Sequence, residues 1–128
     1  MASSEILIRL SLSLIFSGLI GYEREVSESN AGLKTHILVG IGSTIVSLMQ
    51  LQLVNEVLKM SQSMHANNPA IAGVIRTDIG RVVAQVVSGI GFLGAGTIIV
   101  TKRKISGLTT AASIWTVAII GLTLGFGF

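Results

Sequence analysis

Four long apolar runs separated by polar breaks set the pattern of the chain. The first is Leu10 to Tyr22, or Ile6 to Tyr22 if Arg9 snorkels to the interface. It is short for a membrane span, which predicts tilting or local thinning of the bilayer. A cleaved signal peptide is the competing interpretation, but Glu5 precedes Arg9 and no clear small-x-small cleavage site follows. Ser13, Ser17 and Gly21 recur at i, i+4 and i+8. Such a small-residue stripe predicts a helix–helix contact.

The second run is Ile37 to Val54. On a helix, His36, Gly40, Ser43, Ser47 and Gln50 share one polar or small face. Either it packs against another helix, with hydroxyls bonded to backbone, or it lines a wet pathway with a titratable histidine at its mouth. Asn55 to Gly80 is the longest polar stretch, with a turn signal at Asn67-Asn68-Pro69 and a short interfacial helix expected over Ile71 to Ile79.

From Val82 to Val100, nineteen residues carry no charge. At about 1.5 Å per residue that crosses a hydrocarbon core of roughly 30 Å. Gly89, Gly91, Gly94 and Gly96 fall within it, and Ala84, Ser88, Gly91 and Ala95 form one small face. A soluble helix tolerates glycines poorly, whereas membrane helices use them for close approach. Lys102-Arg103-Lys104 ends the run as a basic turn, and Ile105 to Phe128 follows without a charge. Gly121 and Gly125 form a GxxxG pair there, and Trp115 is expected between helices because it lies too deep for an interfacial anchor.

The fold class predicted is all-α: a polytopic transmembrane bundle of two helical hairpins in a single domain, residues 1–128, with spans near 6–22, 35–55, 81–100 and 106–126 and a kink near Gly94 to Gly96. Packing is expected through Gly18, Gly21, Gly91, Gly94, Ala95, Gly121 and Gly125, within the chain or across a homodimer. Gly32-Leu33-Lys34-Thr35 and Gly107-Leu108-Thr109-Thr110 each precede an apolar run, and each follows another glycine, Gly21 or Gly96, by eleven residues. Two hairpins in the same orientation would form a parallel repeat.

Composition agrees with a membrane class. Half of the residues are hydrophobic, only 12% are charged, and the mean hydropathy is +0.78. A soluble domain carries about 25% charge. The net charge of +3 does not point to nucleic acid, because its densest cluster is one turn between apolar runs. Such charge fixes topology or meets anionic lipid. With four spans, the two hairpin turns carry Arg24, Lys34, Lys102, Arg103 and Lys104, against Arg9, Lys59, Arg76 and Arg81 on the other side. Five against four is nearly even, so the dense turn decides: hairpin turns in the cytoplasm, N-terminus outside. The absence of cysteine excludes thiolate sites.

Candidate functional residues gather beside the spans. Glu23, Arg24, Glu25, Lys34 and His36 flank the first hairpin turn. Glu23 and Arg24 are adjacent and point different ways on a helix, so their partners are expected from other segments. Lys34 and the Lys102–Lys104 turn are the available cations, which predicts an acidic–basic cluster joining the two turns. Asp78 and Arg81, three apart, share a helix face at the opposite membrane edge, either as a solvated ion pair or as part of a site. No nucleophile–base arrangement, metal motif or phosphate loop occurs, so neither enzyme activity nor a cofactor is expected, and a metal site is not identified.

Gly21-Tyr22-Glu23-Arg24-Glu25, Ala31-Gly32-Leu33-Lys34-Thr35-His36, Gly89-Ile90-Gly91-Phe92-Leu93-Gly94-Ala95-Gly96 and Gly107-Leu108-Thr109-Thr110-Ala111-Ala112, in that order, closely resemble the bacterial MgtC/SapB membrane proteins. Asp78 and Arg81 match the family's acidic–basic pair, although Ile79 stands where proline is common and Lys34 where arginine is common. The resemblance implies an inner-membrane protein linked to growth in low magnesium, acid adaptation and intracellular survival. It also implies a further C-terminal span and a soluble domain, which this sequence does not reach. It brings in the proton-translocating ATP synthase as a membrane partner. Two functions follow: a non-transporting modulator of another membrane complex, or a small magnesium or cation transporter or channel. Hard cations favour carboxylate oxygens, and no Asp or Glu lies within a predicted span, which weakens a direct magnesium carrier.

Overall fold

The computed structural model describes residues 2–67 and 79–128. Among these residues it has four helices: α1 (Ser3–Val26), α2 (Leu33–Asn67), α3 (Ile79–Ala95) and α4 (Leu108–Phe126). Two short strands, β1 (Ile99–Val100) and β2 (Ile105–Ser106), pair antiparallel between α3 and α4. The expected helix over Ile71 to Ile79 lies, except for its last residue, outside the described residues.

α1, α2 and α4 pack against one another, and α3 leans chiefly on α4. α1, α2 and α4 each contain a segment long and apolar enough to cross a membrane. The burial of α1 is the inverse of a soluble helix's, whereas α4 buries Ile114, Val117, Ala118 and Leu122 beside its small residues. α1 buries Ser13, Ser17 and Gly21, while Leu7, Ile8, Ile15, Phe16 and Leu19 are exposed. Small polar residues inside and large apolar residues outside suit a bilayer, where lipid takes the apolar face and helices associate by close packing.

Three hydroxyl-bearing positions hold the core. Thr44 Oγ1 lies 2.8 Å from Ser13 Oγ, 2.9 Å from Gly40 O and 3.0 Å from Gly121 O. With one proton it donates to one carbonyl and accepts from Ser13. Ser47 Oγ lies 3.0 Å from Leu122 O and 3.2 Å from Ser43 O, so the α2 hydroxyls reach the backbone of α4. Glycine makes that approach possible. A Cβ on Gly121 would lie 2.9 Å from Ser43 Cβ, and one on Gly125 would lie 2.6 Å from Thr44 O. The face His36, Gly40, Ser43, Ser47 and Gln50 is buried throughout.

Several elements depart from the periodic pattern. α2 has 35 residues, about 52 Å at 1.5 Å per residue, so it outlasts the expected span by three turns. Nothing between Asn55 and Asn67 stops it: glycine and proline are absent there, and Leu, Glu, Lys, Met and Gln favour helix. α3 ends at Ala95, and the apolar run continues as β1 rather than as helix to residue 100. Gly94 and Gly96 weaken the helix end, and β-branched Ile98, Ile99 and Val100 favour extended backbone. Trp115 is 46% exposed and not packed between helices. It follows Ile114 by one residue, about 100° round the helix from the buried stripe of Ile114, Val117, Ala118 and Gly121.

Candidate functional site at the helix ends

α1 ends in a hydrogen-bonded turn. Glu28 N–H donates to Glu25 O at 3.1 Å and Ser29 N–H to Arg24 O at 3.1 Å. This closure needs a left-handed residue, and Glu28 takes it with φ 50°. The chain then returns to start α2, which has no acidic residue in its own first turn. Glu25 supplies the carboxylate instead: its Oε2 accepts the Leu33 N–H at 2.7 Å. A helix N-terminus exposes unpaired N–H groups and a positive dipole end, so this contact satisfies both. Gly32 leaves room for it, because a Cβ there would overlap the Glu25 carboxylate. Gly21 does the same for the backbones, since its Cβ would lie 2.9 Å from both Leu33 Cα and His36 Cβ.

His36 closes the joint onto α4. It is fully buried. Nδ1 lies 2.8 Å from Gly32 O, and a carbonyl only accepts, so Nδ1 carries a proton. Nε2 lies 2.8 Å from Ser113 Oγ, which is itself 2.9 Å from Thr110 O. With a neutral ring, Ser113 donates to Nε2. The second connection docks on the first: Asn30 Nδ2 donates to Thr97 O at 3.4 Å, and Thr97 Oγ1 donates to Gly94 O at 2.7 Å. Both connections therefore lie at one end of the bundle.

The expected acidic–basic cluster takes a different form. Glu23 and Arg24 pair with each other, and Ser27 Oγ donates to Glu23 at 3.1 Å. Adjacent helical positions diverge, but at a helix end the long Arg24 stem is free to fold back onto its neighbour. Glu25 serves backbone rather than a cation. Lys34, Lys102, Arg103 and Lys104 are exposed and outside the joint. A hydrogen bond from Asn30 to Thr97 joins the turns, and His36–Ser113 joins α2 to α4 beside them. Asp78 lies outside the described residues, and Arg81 is exposed in the first turn of α3.

Of the packing positions, Gly21, Gly94, Gly121 and Gly125 are buried, and Gly18 is half-buried with Ile37 beside it. Gly91 and Ala95 are exposed, and among the described residues no atom outside Gly91's own helix backbone and chain neighbours comes within 4 Å of a Cβ built on it. Their small face turns away from α2 and α4. Sequence reasoning missed two residues. Ser113 carried no signal beyond its type. Arg9, expected to snorkel, donates from Nη1 to Gly125 O at 2.8 Å and ties α1 to the end of α4. Among the described residues, no group of three or more His, Cys, Asp and Glu could hold a metal ion.

The MgtC family model matches residues 10–128. YhiD of Escherichia coli (strain K12), whose name carries a proposed magnesium transport, is 40% identical over 125 residues, covering 98% of this chain and 53% of YhiD. Protein SapB of Bacillus subtilis (strain 168) is 34% identical, covering 97% of this chain and 49% of SapB. Protein MgtC of Salmonella typhimurium (strain LT2) is 35% identical over 94% of this chain and 43% of that protein. The chain thus spans about half the length of these relatives. No solved structure matches it.

Proposed function

Because the chain belongs to the MgtC family, we propose that it is the transmembrane module of a magnesium-homeostasis protein that tunes another membrane complex through helix–helix contact. The supporting observation is the use made of the α2 polar face. Ser47 on that face and Thr44 beside it are bonded to α4 carbonyls, and Gly121 and Gly125 bring the two backbones together over them. A face used in this way supports a role in holding helices together rather than in lining a path for a hydrated cation, which sheds its water only for several oxygen ligands. The joint of Glu25, Gly32 and His36 fixes the ends of three helices. We place both connections in the cytoplasm, on the density of cations in the second. The proton-translocating ATP synthase is a candidate partner.

A magnesium carrier is the second reading, favoured by the name of YhiD. Growth in low magnesium tests the role common to both. In a host lacking its own copy, the chain should restore growth, and Glu25→Ala or Asp78→Ala at unchanged protein level should reduce it. If both variants restore growth as well as the parent, those carboxylates have no part in the function.

A further inference from the structure

The α3–α4 connection is a built hairpin with an unusual surface. Thr101 N–H donates to Lys104 O at 2.9 Å and Lys104 N–H to Thr101 O at 3.4 Å, closing the tip. At the base, Gly107 has φ 88° and packs so closely on Thr97 that a Cβ would overlap its carbonyl. Asn30 holds the same carbonyl from the first connection. The hairpin is thus pinned at its base and free at its tip.

The tip carries Lys102, Arg103 and Lys104, all exposed. The strands below them expose Ile99 (51%), Val100 (71%) and Ile105 (57%). No acidic residue follows Asp78 in the sequence. At this end of the bundle, Glu23 is committed to Arg24 and Glu25 to the α2 N-terminus, and among the described residues no ion pair joins the exposed Glu28 to the tip. Cations above exposed aliphatic side chains, at the end of membrane-spanning helices, match a bilayer interface: phosphates outside, acyl chains beneath.

We propose that the hairpin from Thr97 to Gly107 is a binding surface for anionic phospholipid. Ile99, Val100 and Ile105 enter the boundary of the acyl chains. Lys102, Arg103 and Lys104 hold headgroup phosphates, Arg103 through its planar fork and the lysines as point charges. The hairpin fixes the depth of the α3–α4 connection and gathers acidic lipid around it.

The chain has no cysteine, so Thr101→Cys offers one labelling site for a bimane fluorophore. The labelled chain is reconstituted in phosphatidylcholine vesicles with equal fractions of nitroxide-acyl phosphatidylglycerol or nitroxide-acyl phosphatidylcholine. The glycerol lipid should quench more strongly, with the preference falling by up to about fivefold per cation removed and shrinking in about 0.5 M salt. Lys102→Gln, Arg103→Gln and Lys104→Gln together should bring the two lipids to parity with an unchanged circular dichroism melt. Equal quenching in the parent overturns the proposal, and is the outcome expected if the cations serve an acidic protein instead. A preference that survives the triple substitution also overturns it.

Discussion

Gly121 and Gly91 look alike in the sequence, each an apolar-helix glycine within a small-residue pattern, but they should respond oppositely to alanine. A methyl on Gly121 would lie 2.9 Å from Ser43 Cβ and overlap Gly40 O. α2 and α4 must then separate. Overpacking of this kind costs about 1–3 kcal/mol. Separation also stretches Thr44–Gly121 O and Ser47–Leu122 O, each 3.0 Å, at about 0.6 kcal/mol per interhelical bond. Alanine returns up to about 1 kcal/mol of helix propensity. The net loss for Gly121→Ala is about 1–3 kcal/mol. Gly91→Ala meets no atom of another element among the described residues within 4 Å, so only the propensity gain of up to about 1 kcal/mol remains. Unfolding in mixed micelles with rising SDS, followed by far-UV circular dichroism, measures both. A stable Gly121→Ala together with a destabilised Gly91→Ala would refute the packing described, and would make the α3 face the internal contact.

Glu28→Gly should raise stability by up to about 1 kcal/mol, because glycine takes φ 50° without strain; a lower melting temperature would contradict the turn geometry. Glu25→Ala and Gly32→Ala should each cost about 1 kcal/mol by uncapping α2. Both break the same contact, so the double variant should lose less than the two losses added, and strict additivity would separate them. Single cysteines replacing Ser29 and Ser106 should label from the same side of the membrane, which we assign to the cytoplasm, and one replacing Ser63 only from the other. Labelling of Ser29 and Ser106 from opposite sides would break the joint between the connections.

Much of the fold was legible because membrane helices obey simple patterns. The stripe of Ser13, Ser17 and Gly21 and the face from His36 to Gln50 are both buried as periodicity predicts. Periodicity states which residues share a face but not what that face meets. Gly91 and Gly121 therefore looked equivalent, although among the described residues only Gly121 has a helix against it. The end of α3 was readable as weakness at Gly94 and Gly96, but pairing of Ile99 with Ser106 depends on a partner strand that lies beyond the turn. In the candidate site, the sequence marked Glu25 and His36 by residue type and position. Their roles were not legible, because charge suggests ion pairs, whereas Glu25 meets a backbone N–H and His36 a serine on α4. Nothing in the sequence marked the partner of Arg9, a carbonyl 116 residues away.

Magnesium flux into proteoliposomes most directly separates a modulator from a carrier. The purified chain is reconstituted with a magnesium-sensitive dye inside the vesicles and an inward magnesium gradient, with and without an imposed membrane potential. An interior sealed by Thr44, Ser47, Gly121 and Gly125 predicts dye signals equal to those of protein-free vesicles under both conditions, from a preparation shown to be folded by its helical content and melt. Magnesium entry above that background, lost in Gly121→Ala or His36→Ala, would contradict it and assign the bundle a transport pathway.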